Sequence, residues 1–146
     1  METPLTIKNK EVVKDFTNAL WVKRDLDLAL KYLAEDINYY GVRNESHGKE
    51  NLRKMLEGYL SLYNDVVIDI EDMISEKNKV YSRGSLTGIL DGDFEGINVT
   101  NKKVSIKFFD EMEIEEGKIK NDWDILDELG LMQQLGMELR PVESVH

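Results

Sequence analysis

The residues best suited to chemistry lie near the end of the chain, in GKIKNDWDILDELGLMQQLG from Gly117 to Gly136. A strand pattern there runs into a short helix, and Trp123 and Asp127, four residues apart, share a face at strand period. A carboxyl held against an aromatic wall loses hydration. Its pKa then rises toward the range where it both takes and returns a proton. Asp122, Asp124 and Glu128 push the same way if they lie close. The other reading of Asp127 is structural, because aspartate is a favoured N-cap and Glu128 behind it suits the helix dipole. The two roles can coexist.

Two further residues are candidates for the same site. Asp110, in FFDEMEI, shares strand parity with Phe108 and Met112, so it is either a carboxyl among apolar neighbours or, if the opposite parity faces inward, a solvated one. Arg83 either orients an inward acid or sits in a surface ion pair. Asp91, Asp93 and Glu95 alternate in a glycine-containing stretch but lack the spacing and closing glutamate of an EF-hand. They read as solvated acids. Gly84 to Gly88 reads as strand interior rather than a phosphate loop, and His47 as exposed loop.

Elements that can position these groups follow from periodicity. Val12, Val13, Phe16, Ala19 and Leu20 recur at helical spacing between Lys8 and Lys23, which predicts an amphipathic helix. Asp25 caps a second short helix carrying Leu26, Leu30 and Leu33. The aromatic run from Asp36 to Val42 suits a strand, with Tyr39 or Tyr40 facing inward. A third helix, from near Ser46 to Asn64, carries Leu52, Met55, Leu56, Tyr59, Leu60 and Tyr63. Four strand patterns follow, at 65–75, 80–90, 104–114 and 118–126, with a longer loop, DGDFEGINVTNK, between the second and third. Successive hairpins make an antiparallel meander, and helices grouped ahead of one curved sheet make the class α+β.

The run Gly117-Lys118-Ile119, Trp123, Asp127, Gly130 and Gln134-Leu135-Gly136 resembles the C-terminal signature of SnoaL-like polyketide cyclases, also called predicted ester cyclases, in the nuclear transport factor 2-like superfamily. Arg83, Thr87-Gly88, Gly92, Phe94, Gly96-Ile97, Thr100 and Val104 extend the resemblance. It implies a cone in which N-terminal helices pack on a strongly curved antiparallel sheet and enclose a pocket. It also implies that Asp127, four residues after the Trp, is the acid/base catalyst of an intramolecular aldol-type reaction on a small apolar carbonyl or polyketide-like substrate. No cofactor or metal is called for. Trp123 would then tune the Asp, with Phe108, Tyr39, Leu131, Leu135, Asp110 and Arg83 as substrate-binding candidates. The chain departs from the pattern at Leu90 and at Asn121-Asp122, where family members often carry histidine, so imidazole partners are missing.

Composition sets the remaining expectations. The 146 residues suffice for a single domain spanning 1–146. Twenty-nine acidic against 19 basic residues give a formal charge of −10, which disfavours nucleic acid and anionic membranes. There is no cysteine, and His47 and His146 are the only histidines. That excludes disulfides, thiolate metal sites and multi-histidine centres. No apolar run has the length of a signal peptide or membrane span. The expectation is a cytoplasmic protein whose partner is a small apolar molecule, assembled as a homodimer or higher homo-oligomer through the sheet's outer face. Two other functions remain open: a binding protein without chemistry, and an epoxide-type hydrolase in which Asp110, Arg83 and Asp127 converge.

Overall fold

A computed structural model describes residues 2–143, so His146 lies outside the described residues. The first helix, α1 (Pro4–Thr17), opens on a capping box: Thr3 Oγ1 accepts from the Thr6 amide at 3.2 Å while Thr6 Oγ1 accepts from the Thr3 amide at 2.8 Å. It runs without a break into a π-helical turn, Asn18–Val22. Val13, Phe16, Thr17, Leu20 and Trp21 thereby line one continuous stripe facing the sheet. Next come α2 (Leu26–Leu30), β1 (Leu33–Tyr40), β2 (Glu45–His47) and α3 (Lys49–Leu62). The four long strands are β3 (Tyr63–Glu76), β4 (Lys79–Phe94), β5 (Ile97–Glu115) and β6 (Lys118–Leu126), and α4 (Glu128–Gln134) closes the order.

The six strands form one open sheet in the order β2-β1-β6-β5-β4-β3. From β3 to β6 it is the expected antiparallel meander, but β1 joins β6 in parallel, which makes the sheet mixed. The helical half supplies that edge: Leu33, expected in the second helix, is instead the buried first residue of β1. Likewise Ser46, expected at a helix start, pairs with Tyr39 in β2. The stretch expected as a long loop is strand almost throughout. Phe94 and Val99 are buried there, and only Glu95 and Gly96 turn, at φ 50° and 82°. Positive φ at both central positions is what a two-residue hairpin turn of type I′ demands.

Helices α1 and α3 cover the concave face. One apolar cluster gathers Phe16, Leu20, Leu33, Ile37, Leu52, Leu56, Met112 and Ile119 at one end. A second gathers Tyr63, Leu90, Phe94, Val99, Val104, Ile106 and Leu131 at the other. Trp21 and Tyr59 pack against both, and the space between the clusters is left open. Curvature on the β3 side depends on Gly84, where a Cβ would stand 2.0 Å from the Asp69 carbonyl oxygen beside the register shift between Ile70 and Asp72.

Gly84→Ala is therefore expected to destabilise the protein by about 2 kcal/mol or more, since backbone must move to admit the methyl group. Gly58→Ala, inside α3 with nothing within 4 Å, should stabilise it by roughly 0.5–1 kcal/mol. Urea denaturation of the two variants checks both signs.

Candidate active site

Strand parity builds the site. On β5 the residues Ile106, Phe108, Asp110 and Met112 face the helices, and on β6 so do Asp122, Asp124 and Leu126. The register sets Asp110 directly opposite Asp124 on one side and Ser82 of β4 on the other. Three carboxyl groups thus meet on the floor of a cavity of about 160 Å³ whose walls include Phe16, Leu20, Trp21, Leu56, Tyr59 and Tyr63. Tyr39 of β1 reaches across, its hydroxyl donating to Asp124 Oδ2 at 3.2 Å. The side-chain oxygens Asp110 Oδ1 and Asp122 Oδ1 are buried without a hydrogen-bond partner.

Such crowding in an apolar setting holds protons. Burial first, then the charge of Asp122 and a hydrogen bond with it, raises Asp110 well above the usual carboxylate range. Asp124 is pushed up to about 7 by burial and by the charge of Asp122, with the Tyr39 hydroxyl pulling it back. Asp122 is raised to about 6 by burial, against a hydrogen bond from Asp110. Burial and the neighbouring Asp124 in turn raise Tyr39, so it stays a donor. The three acids form one coupled set rather than three independent sites.

Among the described residues that line the cavity only Arg43 is basic, and it is ion-paired with acids outside the carboxyl set. Its Nε lies 3.1 Å from Glu128 Oε1 and its Nη1 lies 3.4 Å from Glu95 Oε1, while the guanidinium rests 4.5 Å from the centre of the Phe94 ring. This contact ties the loop after β1, the β4–β5 hairpin tip and the start of α4 together at one end of the cavity. Among the described residues no group of His, Cys, Asp and Glu has the arrangement to hold a metal ion. No helix among them is long and apolar enough to cross a membrane.

The candidates named from the sequence separate into two groups. Asp110, Phe108 and Tyr39 line the cavity. Asp127 does not: it is exposed at the N-cap of α4, where its side chain accepts from the Gly130 amide at 2.9 Å. Its strand-period partner Trp123 lies on the convex face, stacked on Tyr40 at 5.3 Å between ring centres. The two do share a parity, and that parity faces outward. Arg83 is on the convex face as well, its Nη1 bonded to Glu71 at 2.6 Å, so Asp110, Arg83 and Asp127 do not converge. Leu131 and Leu135 belong to the second apolar cluster rather than the cavity wall.

The C-terminal motif therefore holds α4 in place. At Gly130 a Cβ would stand 2.2 Å from Asp127 Oδ2, so glycine is what allows the cap to close. Gln134 pairs with the Ser105 backbone in both directions at 2.8 Å. Asp122 and Asp124 were visible in the sequence only as acids near Asp127. The signal that finds them is their alternation with Trp123 and Ile125, once Asp110 is taken as inward.

A family model described as SnoaL-like polyketide cyclase matches residues 11–135. A proposed SnoaL-like polyketide cyclase from Jannaschia sp. CCS1 superposes with a TM-score of 0.86 at 17% identity, covering 95% of this chain and 99% of that one. AclR, a proposed hydroxylase from Streptomyces galilaeus, gives 0.79 at 25% identity over 90% and 97%. An LEH-like epoxide hydrolase from M. tuberculosis gives 0.74 at 19% over 90% and 92%. These neighbours share the nuclear transport factor 2-like α+β fold. No curated protein matches significantly.

The carboxyl set has a consequence for stability. Asp122 and Asp124 take up protons in the folded state at pH values where the unfolded chain, titrating near 3.9, has released them. The folded state is thus penalised increasingly as pH rises from about 4 through about 7. Asp124→Asn should stabilise the protein at pH 8 by on the order of 1 kcal/mol or more, with the gain vanishing near pH 4. Chemical denaturation of both proteins at the two pH values measures it; an equal gain at both would show that the carboxyl is not desolvated.

Proposed function

We propose that this chain, which belongs to the SnoaL-like polyketide cyclase family, is a cofactor-independent enzyme that moves a proton on a compact apolar carbonyl compound by carboxyl acid/base catalysis. The observation that carries the reading is the pairing of Asp124 with Asp110 across β5 and β6 on the cavity floor. Environment pushes the two to different protonation states, which is how one site keeps an acid and a base at the same pH.

Asp124, raised to about 7, is matched to the task of general base near neutrality. Its carboxylate takes a proton from the carbon beside the substrate carbonyl, and the electron pair of that C–H bond moves toward the carbonyl oxygen. Asp110, held protonated by burial and by Asp122, donates a hydrogen bond to the developing enolate oxygen. In an aldol-type closure the enolate carbon bonds to a second carbonyl carbon, and the new alkoxide takes the proton back from Asp124. In an isomerisation the proton returns to a different carbon. Tyr39 positions the base through its bond to Asp124 Oδ2. A cavity of about 160 Å³ suits a single-ring compound, since roughly 150 Å³ accommodates benzene.

In this reading Asp127 acts on stability, not on the proton. With Asp124→Asn, deuterium exchange at the α-carbon of a small cyclic ketone in D2O, followed by NMR, should fall by about 10²-fold or more. Asp127→Asn should leave it within about threefold while Asp127→Ala lowers stability by about 1 kcal/mol through the cap. Tyr39→Phe should move the acid limb of the pH–rate profile upward, because the hydroxyl lowers the Asp124 pKa. Equal losses in the two Asn variants would overturn the assignment. Binding of the ketone with no exchange in the native protein would leave a binding protein instead. The epoxide hydrolase reading loses its support because Arg83 is paired with Glu71 on the convex face.

The same proposal includes a second copy of the chain on the convex face. Phe109 and Ile125, cross-strand neighbours, are 64% and 66% exposed there, and the flanking Arg83 and Glu71 present both signs of charge for a two-fold copy to meet. Phe109→Glu should convert a dimer to a monomer in light scattering.

A further inference from the structure

We propose that the cavity binds apolar ligands bearing a protonated amine, through Asp110, Asp122 and Asp124, and discriminates against carboxylates of the same shape. The inference rests on the reading of this cavity as the ligand site but not on catalysis.

The cavity floor is rich in acceptors. Three carboxyl groups share it, and the single basic residue of the lining, Arg43, is held by Glu95, Glu128 and the Phe94 ring. Asp122 is only 9% exposed, faces the cavity, and leaves Oδ1 without a partner; Asp110 Oδ1 is likewise buried and unpartnered. Buried acceptors without donors cost free energy until something donates to them. Of the protein's own donors there, the Tyr39 hydroxyl serves Asp124 Oδ2 and the Asp110 carboxyl serves Asp122, which still leaves both Oδ1 atoms without a partner.

An ammonium group meets the need on three counts. It supplies three donors and no acceptor, it brings the opposite charge to acids in an apolar setting, and it finds aromatic rings around it. Tyr39, Tyr59, Trp21 and Phe108 all line the same space, and ring faces attract cations. A carboxylate would instead bring a fourth acid to a floor whose one basic lining residue, Arg43, already faces Glu95 and Glu128, and a neutral alcohol would satisfy one oxygen without offsetting charge.

Affinity should follow the ionisation of the floor. The groups facing it are Tyr39 from β1, Tyr59 from α3, Tyr63 from β3, Ser82 from β4 and Arg43 from the wall; α1 contributes Val13, Phe16 and Thr17, the π-helical turn Leu20 and Trp21, and the rest of β3 Ile68 and Ile70, none of which titrates. Asp124 and Asp122 change charge at about 7 and about 6. An alkylammonium should accordingly bind more tightly as pH rises from 5 to 8.

The test uses benzylammonium, benzyl alcohol and benzoate as probes of one shape and three charges. In a Trp123→Phe background, Trp21 is the sole tryptophan, and its fluorescence reports occupancy. At pH 8 benzylammonium is expected to bind at least tenfold more tightly than benzyl alcohol, with no saturable binding of benzoate. Its affinity should fall about tenfold by pH 5 while that of benzyl alcohol stays level. Asp122→Asn with Asp124→Asn should abolish the preference but keep benzyl alcohol binding, which also shows that the variant is folded. Benzyl alcohol or benzoate equalling benzylammonium at pH 8, or a preference surviving the double substitution, would overturn the proposal. If the double variant does not fold, the pH dependence in the Trp123→Phe protein decides alone. None of these readouts involves turnover, so they stand apart from the ketone exchange experiment.

Discussion

Everything distinctive about this molecule depends on burying three carboxyl groups from two adjacent strands on the concave face of a sheet, where the one basic lining residue among the described residues, Arg43, is ion-paired with Glu95 and Glu128. Charge is disfavoured there by desolvation, and the charge of Asp122 further raises Asp110 and Asp124. The result is a set of protons held at pH values where ordinary carboxyls have lost theirs. A fold optimised only for stability would replace such a cluster with apolar side chains of similar volume. Stability given up at one place in a cavity is the usual mark of a functional site.

The rest of the architecture can be understood as what keeps that cluster dry and aligned. The π-helical turn carries the apolar stripe of α1 on to Trp21, so one continuous wall faces the acids. Gly84 lets β3 approach β4 closely enough for the sheet to coil, which brings Ile68 and Ile70 to the far side of the same space. The end of the cavity is closed by Arg43, whose contacts with Glu95, Glu128 and Phe94 join three separate chain segments. Helix α4, capped by Asp127 and braced by Gln134 on Ser105, seals the second apolar cluster through Leu131.

Family resemblance and geometry point to the same fold but to different residues. The signature that identifies the chain runs through Trp123, Asp127, Gly130 and Gln134, and in this protein those residues hold a helix and furnish the convex face. The acids that β6 gives the cavity, Asp122 and Asp124, flank Trp123 in sequence and face the opposite way. One strand thus carries Trp123 of the family signature on one face and the cavity acids on the other, because its two faces meet two different environments.

The sequence by itself determined the α+β class, the three N-terminal helical stripes and the four long strands, because apolar periodicity is a local property that survives without knowledge of partners. It also determined Asp110, Phe108 and Tyr39 as candidates, through parity and composition. Only the tertiary structure decided which parity of β6 faces inward, since alternation specifies two faces but not which one is covered. Only it showed β1 pairing in parallel with β6, a contact between residues some eighty positions apart. The pairing across strands that sets Asp110 opposite Asp124 is likewise non-local, and it is this proximity, not the identity of either residue, that turns ordinary surface-type acids into a proton-holding site.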